Sequence, residues 1–159
     1  MYHRIVAGRV RAIFAQISAG DWEPMLSGLA AEFSYRFYGA HALSGERHTL
    51  EAMRGWWQRC FRLFPGAEFQ VDEVIVTGWP WDTRIATRAR IHAVLADGSS
   101  YDNVFMQNLS MRWARITEIH TLEDTAVLEE ILDRLAAAGI DEAHAAPITD
   151  AAPVAAAGS

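Results

Sequence analysis

The chain predicts one α+β domain in which helices come first and a long-stranded antiparallel sheet follows. Three observations carry this. Residues 2–64 contain three segments with apolar side chains at helical spacing. Residues 69–123 contain four alternating runs separated by turn signals. A last amphipathic segment closes the order, which is that of a segregated α+β fold and not of a βαβ repeat.

Each element has its own signal. Val6, Val10, Ile13, Phe14 and Ile17 share one face of a helix over 2–19, and Gly20 ends it. Asp21 is an N-cap for a short helix carrying Trp22, Met25, Leu26 and Leu29. Phe33 to Phe37 alternates as a strand, and Tyr38 to Arg47 reads as a loop with Gly and His. Thr49 caps a third helix whose stripe is Leu50, Met53, Trp57, Cys60, Phe61 and Phe64, stopped by Pro65-Gly66. The strands run over Phe69–Thr77, Thr83–Leu95, Tyr101–Met111 and Ile116–Glu123. Their turns are Gly78 to Asp82, the hairpin signal Asp97-Gly98, and Arg112 to Arg115. Asp124 caps a closing helix with Val127, Leu128, Ile131, Leu132 and Leu135 on one face, and Gly139 follows it. The domain is expected over 1–140. Residues 141–159, rich in Ala, Pro, Gly and Ser, read as a disordered tail.

Strands this long exceed the usual five or six residues and coil into a sheet with a concave face. Three N-terminal helices over that face, with one helix after the sheet, make a cone open to a small molecule at its wide end.

Composition narrows the function. A net charge of −6, with 14 arginines and no lysine, argues against a nucleic-acid partner. No apolar run is long enough for a membrane span, and no membrane partner is expected. Met1-Tyr2-His3-Arg4 lacks the pattern of a signal peptide, so a cytoplasmic location is the expectation. The single Cys60 excludes an internal disulfide. The chain has no His-x-His, no His-Glu-x-x-His, no Gly-rich phosphate loop and no serine elbow. A pocket without metal or cofactor is therefore expected.

The end of the sheet carries a recognisable pattern: Tyr101-x-Asn103, then Trp113-Ala114-Arg115-Ile116, then Glu123-Asp124-Thr125. With Ala19-Gly20-Asp21 and Leu43-Ser44-Gly45 before it, residues 2–138 resemble the nuclear-transport-factor-2-like superfamily, in its SnoaL-like branch. The resemblance implies a cystatin-like cone and a small-molecule pocket, and frequent dimerisation through the convex sheet. It does not select one reaction, since the superfamily spans isomerases, hydrolases, dehydratases, cyclases and binding modules. The ketosteroid-isomerase positions fall here on Ile13, near Phe37, and on Gln107. The epoxide-hydrolase aspartate position falls on Thr121. Neither machinery is implied.

The same alignment sets an expected facing. Arg88, Arg90, His92 and Val94 would point into the cone, with Asn103, Phe105 and Gln107 beside them and Ile119, Thr121 and Glu123 on the last strand. Ile85, Ala89, Ile91, Val104, Met106, Ile116 and Leu122 would then form an outer apolar patch and a homodimer surface. With the register off by one, the arginines would be solvated and the apolar set would be core. In the first facing, His92 is the general base or acid, Asn103 and Gln107 orient an oxygen, and Arg90 or Arg88 offsets negative charge. His92 as a structural histidine is the alternative. Tyr35, His41, Trp56, Phe105, Ile119, Thr121 and Glu123 complete the expected ligand wall. A solvated loop residue is the other reading of His41. Trp56 and Trp57 are adjacent, so only one is expected squarely in the core. The turn with Trp79 and Trp81 either packs on the sheet or closes a pocket rim. Three functions follow: a cofactor-free acid–base enzyme on a small oxygen-bearing compound, a non-catalytic binding module, and a dimeric scaffold.

Overall fold

Thr49 accepts the Ala52 amide at 3.2 Å, and Asp124 accepts the amides of Ala126 and Val127. Two of the three caps read from sequence therefore start their helices; the short second helix is instead capped at Trp22, without a side-chain cap bond, and Asp21 stands one residue before it. The structure is a computed structural model that describes residues 1–150; the end of the expected tail, 151–159, lies outside the described residues. Its elements are α1 (Tyr2–Ser18), α2 (Glu23–Ser27), β1 (Leu29–Phe37), β2 (Gly45–Arg47), α3 (Leu50–Leu63), β3 (Glu68–Trp79), β4 (Asp82–Val94), β5 (Ser100–Arg112), β6 (Arg115–Glu123) and α4 (Thr125–Ala137). The sheet order is β2-β1-β6-β5-β4-β3, antiparallel except where β1 runs parallel to β6. A register shift between Val71 and Glu73 bulges β3 at Asp72, and bulges add bend to a sheet. Helices α1 and α3 cover the inner face. Phe14 packs on Phe69 and Phe105, and Phe64 stacks on Tyr101 at 4.6 Å. No helix among the described residues is long and apolar enough to cross a membrane.

The facing of β5 and β6 is as expected: Asn103, Phe105, Gln107, Ile119 and Thr121 are buried. On β4 it is reversed. Thr83, Ile85, Thr87, Ala89, Ile91 and Ala93 point inward, while Arg88, Arg90 and His92 stand on the convex face. The cause is the β4–β5 hairpin. A two-residue turn at Asp97-Gly98 would set His92 opposite Asn103. Instead Leu95 and Ser99 close a three-residue loop, with Leu95 N–H donating to Ser99 O at 2.8 Å and Gly98 N–H to Leu95 O at 2.9 Å. Gly98, at φ +81, supplies the left-handed residue that such a loop requires. Ile91 consequently stands opposite Asn103, and one residue of slip exchanges every face of the strand.

On the convex side the displaced charges pair with acids. Arg88 lies 3.7 Å from Glu73, Arg90 2.9 Å from Asp72, and His92 2.6 Å from Asp102. Ile85, Ala89 and Ile91 are core, and so leave the expected outer patch; Ile116 is half-buried. Val104, Met106 and Leu122 remain exposed there.

Residues 141–150 correct the tail expectation. A 3-10 turn over Asp141–His144 buries Ala143. Glu142 accepts from Arg62 at 2.8 Å and from Arg59 at 3.3 Å, and Arg59 also donates to the carbonyls of Ala42 and Ala146. Asp150 accepts the amides of His48 and Thr49. Composition missed this because the anchors are single polar contacts spaced without periodicity.

Candidate functional site

Between α1, α3 and the inner face of the sheet lies a cavity of about 40 Å³. At roughly one probe sphere of 10–15 Å³ per water, it holds a few water molecules. Its wall is mostly aromatic, with Phe14, Trp56, Trp57, Phe61, Phe64 and Phe105 among the lining rings. Polar groups converge from one side: Tyr35, Gln107, Thr121 and Glu123, with the Cys60 thiol nearby. Period-two facing explains the grouping, since Thr121 and Glu123 are alternate residues on β6 and stand opposite Gln107 and Phe105.

Glu123 is the chemical centre of this arrangement. Its carboxylate accepts hydrogen bonds from the Tyr101 hydroxyl and from the Asn103 amide, the latter at 3.2 Å. Asn103 also donates to the Tyr101 oxygen and to the Asp124 carbonyl, each at 3.0 Å. Burial penalises the charged carboxylate and lifts its pKa to about 7, against the two hydrogen bonds that pull it down. Burial likewise pushes the Tyr101, Tyr35 and Cys60 ionisations up, so all three stay protonated at neutral pH. A second chain of donors crosses the cavity: Gln107 Nε2 donates to Thr121 Oγ1 at 3.0 Å, and Thr121 reaches the Tyr35 oxygen at 3.4 Å.

The structure therefore brings together Tyr35, Trp56, Phe105, Gln107, Thr121 and Glu123 at one cavity, with Asn103 holding the acid. Ile119 is core on the same face. Arg88, Arg90 and His92 are excluded by the hairpin register. His41 is buried in the β1–β2 loop with both ring nitrogens engaged, one near the Tyr38 carbonyl at 3.2 Å and the other accepting the Leu43 amide at 3.3 Å. Its burial lowers its pKa, so it is a neutral clasp for the loop and not a wall of the cavity. Trp56 and Trp57 are both buried; Trp56 satisfies its N–H on the Leu43 carbonyl at 2.9 Å, while the Trp57 N–H has no partner among the described residues.

Two residues were missed. Tyr101 precedes Asn103 by two positions on the same face of β5, and that spacing was the signal for it. Arg47 had none. Its fully buried guanidinium donates to the carbonyls of Leu43 and Ser44 and lies 5.3 Å from the Trp56 ring centroid, placing a positive charge behind the aromatic wall. Among the described residues no three His, Cys, Asp or Glu side chains gather as metal ligands.

Fold and site together define an α+β cone with a small, largely aromatic cavity between its helices and sheet. A family model for the SnoaL-like domain matches residues 10–119, and the chain belongs to that family. Among solved structures, it is similar to PrhC from Penicillium brasilianum, at 18% identity over 90% of this chain and 98% of that one, TM-score 0.74. It is also similar to IdmH from Streptomyces antibioticus, described as a proposed polyketide cyclase, at 20% identity over 80% and 97%, TM-score 0.64. TerC, crystallised with polyporic acid, matches at 18% identity over 78% and 95%, TM-score 0.67. No curated protein matches the chain in sequence. At these identities the structural likenesses speak to fold.

Proposed function

We propose that the chain is a cofactor-independent acid–base enzyme acting on a small, partly apolar oxygen-bearing compound inside the cone. One observation carries the reading: a buried carboxyl, Glu123, whose pKa stands at about 7 on the wall of an otherwise aromatic cavity. A group near neutrality is both a competent base and a competent acid. In its charged form Glu123 takes a proton from a bound C–H or O–H and becomes the neutral acid that burial favours. The Tyr101 hydroxyl and Asn103 amide hold the carboxyl in place, while Gln107 and Tyr35 offer donors to the substrate oxygen. The likeness to a proposed polyketide cyclase and to a protein crystallised with polyporic acid supports an oxygenated ligand. Ligand-sized pockets run to about 300 Å³ or more, so the lining rings must move to admit substrate.

The test uses 2,4-pentanedione in deuterated water as a carbonyl probe with a removable proton. Wild-type protein accelerates exchange with a pH midpoint near 7, Glu123→Gln falls to the buffer rate, and His92→Ala matches wild type. Tight binding of the probe with no acceleration would overturn the enzymatic reading in favour of a binding module. Homodimerisation through Val104, Met106 and Leu122 on the convex face belongs to the same proposal.

A further inference from the structure

Exposed apolar side chains concentrate at one end of the sheet, away from the cavity. Trp79 and Trp81 from the β3–β4 turn are 66% and 53% exposed, and Trp113 from the β5–β6 turn is 70% exposed. They neither pack on the sheet nor close the cavity rim. Trp79 and Trp81 stack with planes 6° apart, Trp81 meets Trp113 at 6.1 Å, and Trp113 N–H donates to the Pro80 carbonyl at 2.6 Å. Two separate turns are thereby fastened into one aromatic tip. The first turn of α1 joins it, since Tyr2 bonds Thr83 and His3 bonds the Gly78 carbonyl, and Ile5 is 60% exposed.

The backbone at the β5–β6 turn is unusual for the residues it carries. Trp113 and Ala114 both have positive φ, at 49° and 63°, where a two-residue hairpin prefers Asn-Gly. A bulky side chain in that region is a strained choice, and strain retained at a surface points to use.

Charge selects the occupant. Arg112 and Arg115 flank the Trp113-Ala114 turn, Arg4 lies in the first turn of α1 beside His3, and none of the three has a carboxylate partner among the described residues; Arg115 donates to the Ser27 carbonyl. Arg112 and Arg115 face each other across the hairpin. The acid in the two turns, Asp82, is tied to Arg84 at 3.4 Å. This cationic end belongs to a chain of net charge −6. Projecting indoles do not enclose a small molecule, which needs a concave site. Indoles ringed by guanidinium groups suit the interface of an anionic bilayer, where tryptophan sits at headgroup level and arginine meets lipid phosphate.

We propose that the tip formed by Trp79, Trp81 and Trp113, with Arg4, Arg112 and Arg115, docks the protein peripherally on anionic membranes. The cavity lining begins at Gln107, six residues along β5 from Trp113 and about 20 Å away at 3.3 Å per residue, so docking leaves it unblocked.

The test mixes the full chain with vesicles of phosphatidylcholine alone or with phosphatidylglycerol. Wild type is expected to sediment with the anionic vesicles, with a blue shift of tryptophan emission, and about tenfold less with neutral ones or at high salt. Replacing Trp79, Trp81 and Trp113 with Ser, or Arg112 and Arg115 with Glu, removes the sedimentation while far-ultraviolet circular dichroism stays unchanged. Wild type remaining in the supernatant would overturn the proposal, and so would tryptophan variants that sediment as well as wild type. Loss in those variants of a lipid-independent association, with another protein or with a second copy, would equally overturn it and assign the tip to that partner.

Discussion

The Asn103 amide lies 3.2 Å from the Glu123 carboxylate and 3.0 Å from the Asp124 carbonyl, so one side chain joins the ionisable group to the N-cap of α4. The candidate base is thereby fixed at a junction between sheet and helix. Its position, its ionisation and the stability of the closing helix are coupled.

Glu123 makes stability depend on pH. Its folded pKa of about 7 lies above the ordinary 4.5, so the native state binds the extra proton between those values. Its contribution is therefore complete below about pH 4.5 and is lost as pH rises through 7. The loss is of order 3 kcal/mol. Urea titrations from pH 5 to 8.5 are expected to show this slope in wild type and its disappearance in Glu123→Gln. An identical slope in both would locate the carboxyl in water.

Removing the holding groups should act on the base without removing it. Asn103→Leu leaves Glu123 and the Asp124 carbonyl short of a donor, at about 1–3 kcal/mol of stability. Tyr101→Phe deletes a hydrogen bond that favours the carboxylate, so the acid limb of the pH–rate profile moves upward. A limb that stays in place would separate Tyr101 from the ionisation of Glu123.

Leu128 and Leu132 are 0% and 2% exposed beneath α4. Each truncation to alanine is expected to cost about 2–5 kcal/mol in denaturant unfolding. Values below 1 kcal/mol would mean that α4 rests loosely on the sheet.

The 141–150 segment is predicted to contribute to stability. Glu142→Ala deprives the buried Arg59 of its carboxylate, at about 1–3 kcal/mol. An unchanged unfolding midpoint would show that the segment merely lies on the surface.

Met106→Glu with Leu122→Glu tests the proposed dimer. Light scattering at micromolar concentration should give a dimer for wild type and a folded monomer for the double variant. A monomeric wild type removes the convex face from consideration as an interface between copies.

The family alignment supplied the inward set on β5 and β6, while local chemistry in the sequence determined the helices, the caps at Thr49 and Asp124, and the four-strand meander. Each of the latter rests on a signal carried by neighbouring residues: a spacing, a capping oxygen, or an alternation. The face of β4 was decided by tertiary structure, because one extra residue in the Leu95–Ser99 loop moves Ile91 opposite Asn103 and sends His92 outside. No alternation within β4 could settle this, since both of its faces form regular series. The ionisation of Glu123 was decided there too. Its spacing from Thr121 was legible, but a pKa near 7 requires the burial and the Tyr101 and Asn103 contacts that only the closed cone supplies. Arg47 and the 141–150 segment were settled the same way. A guanidinium buried on carbonyls and rings, and a strap held by isolated ion pairs, leave no periodic trace in a chain.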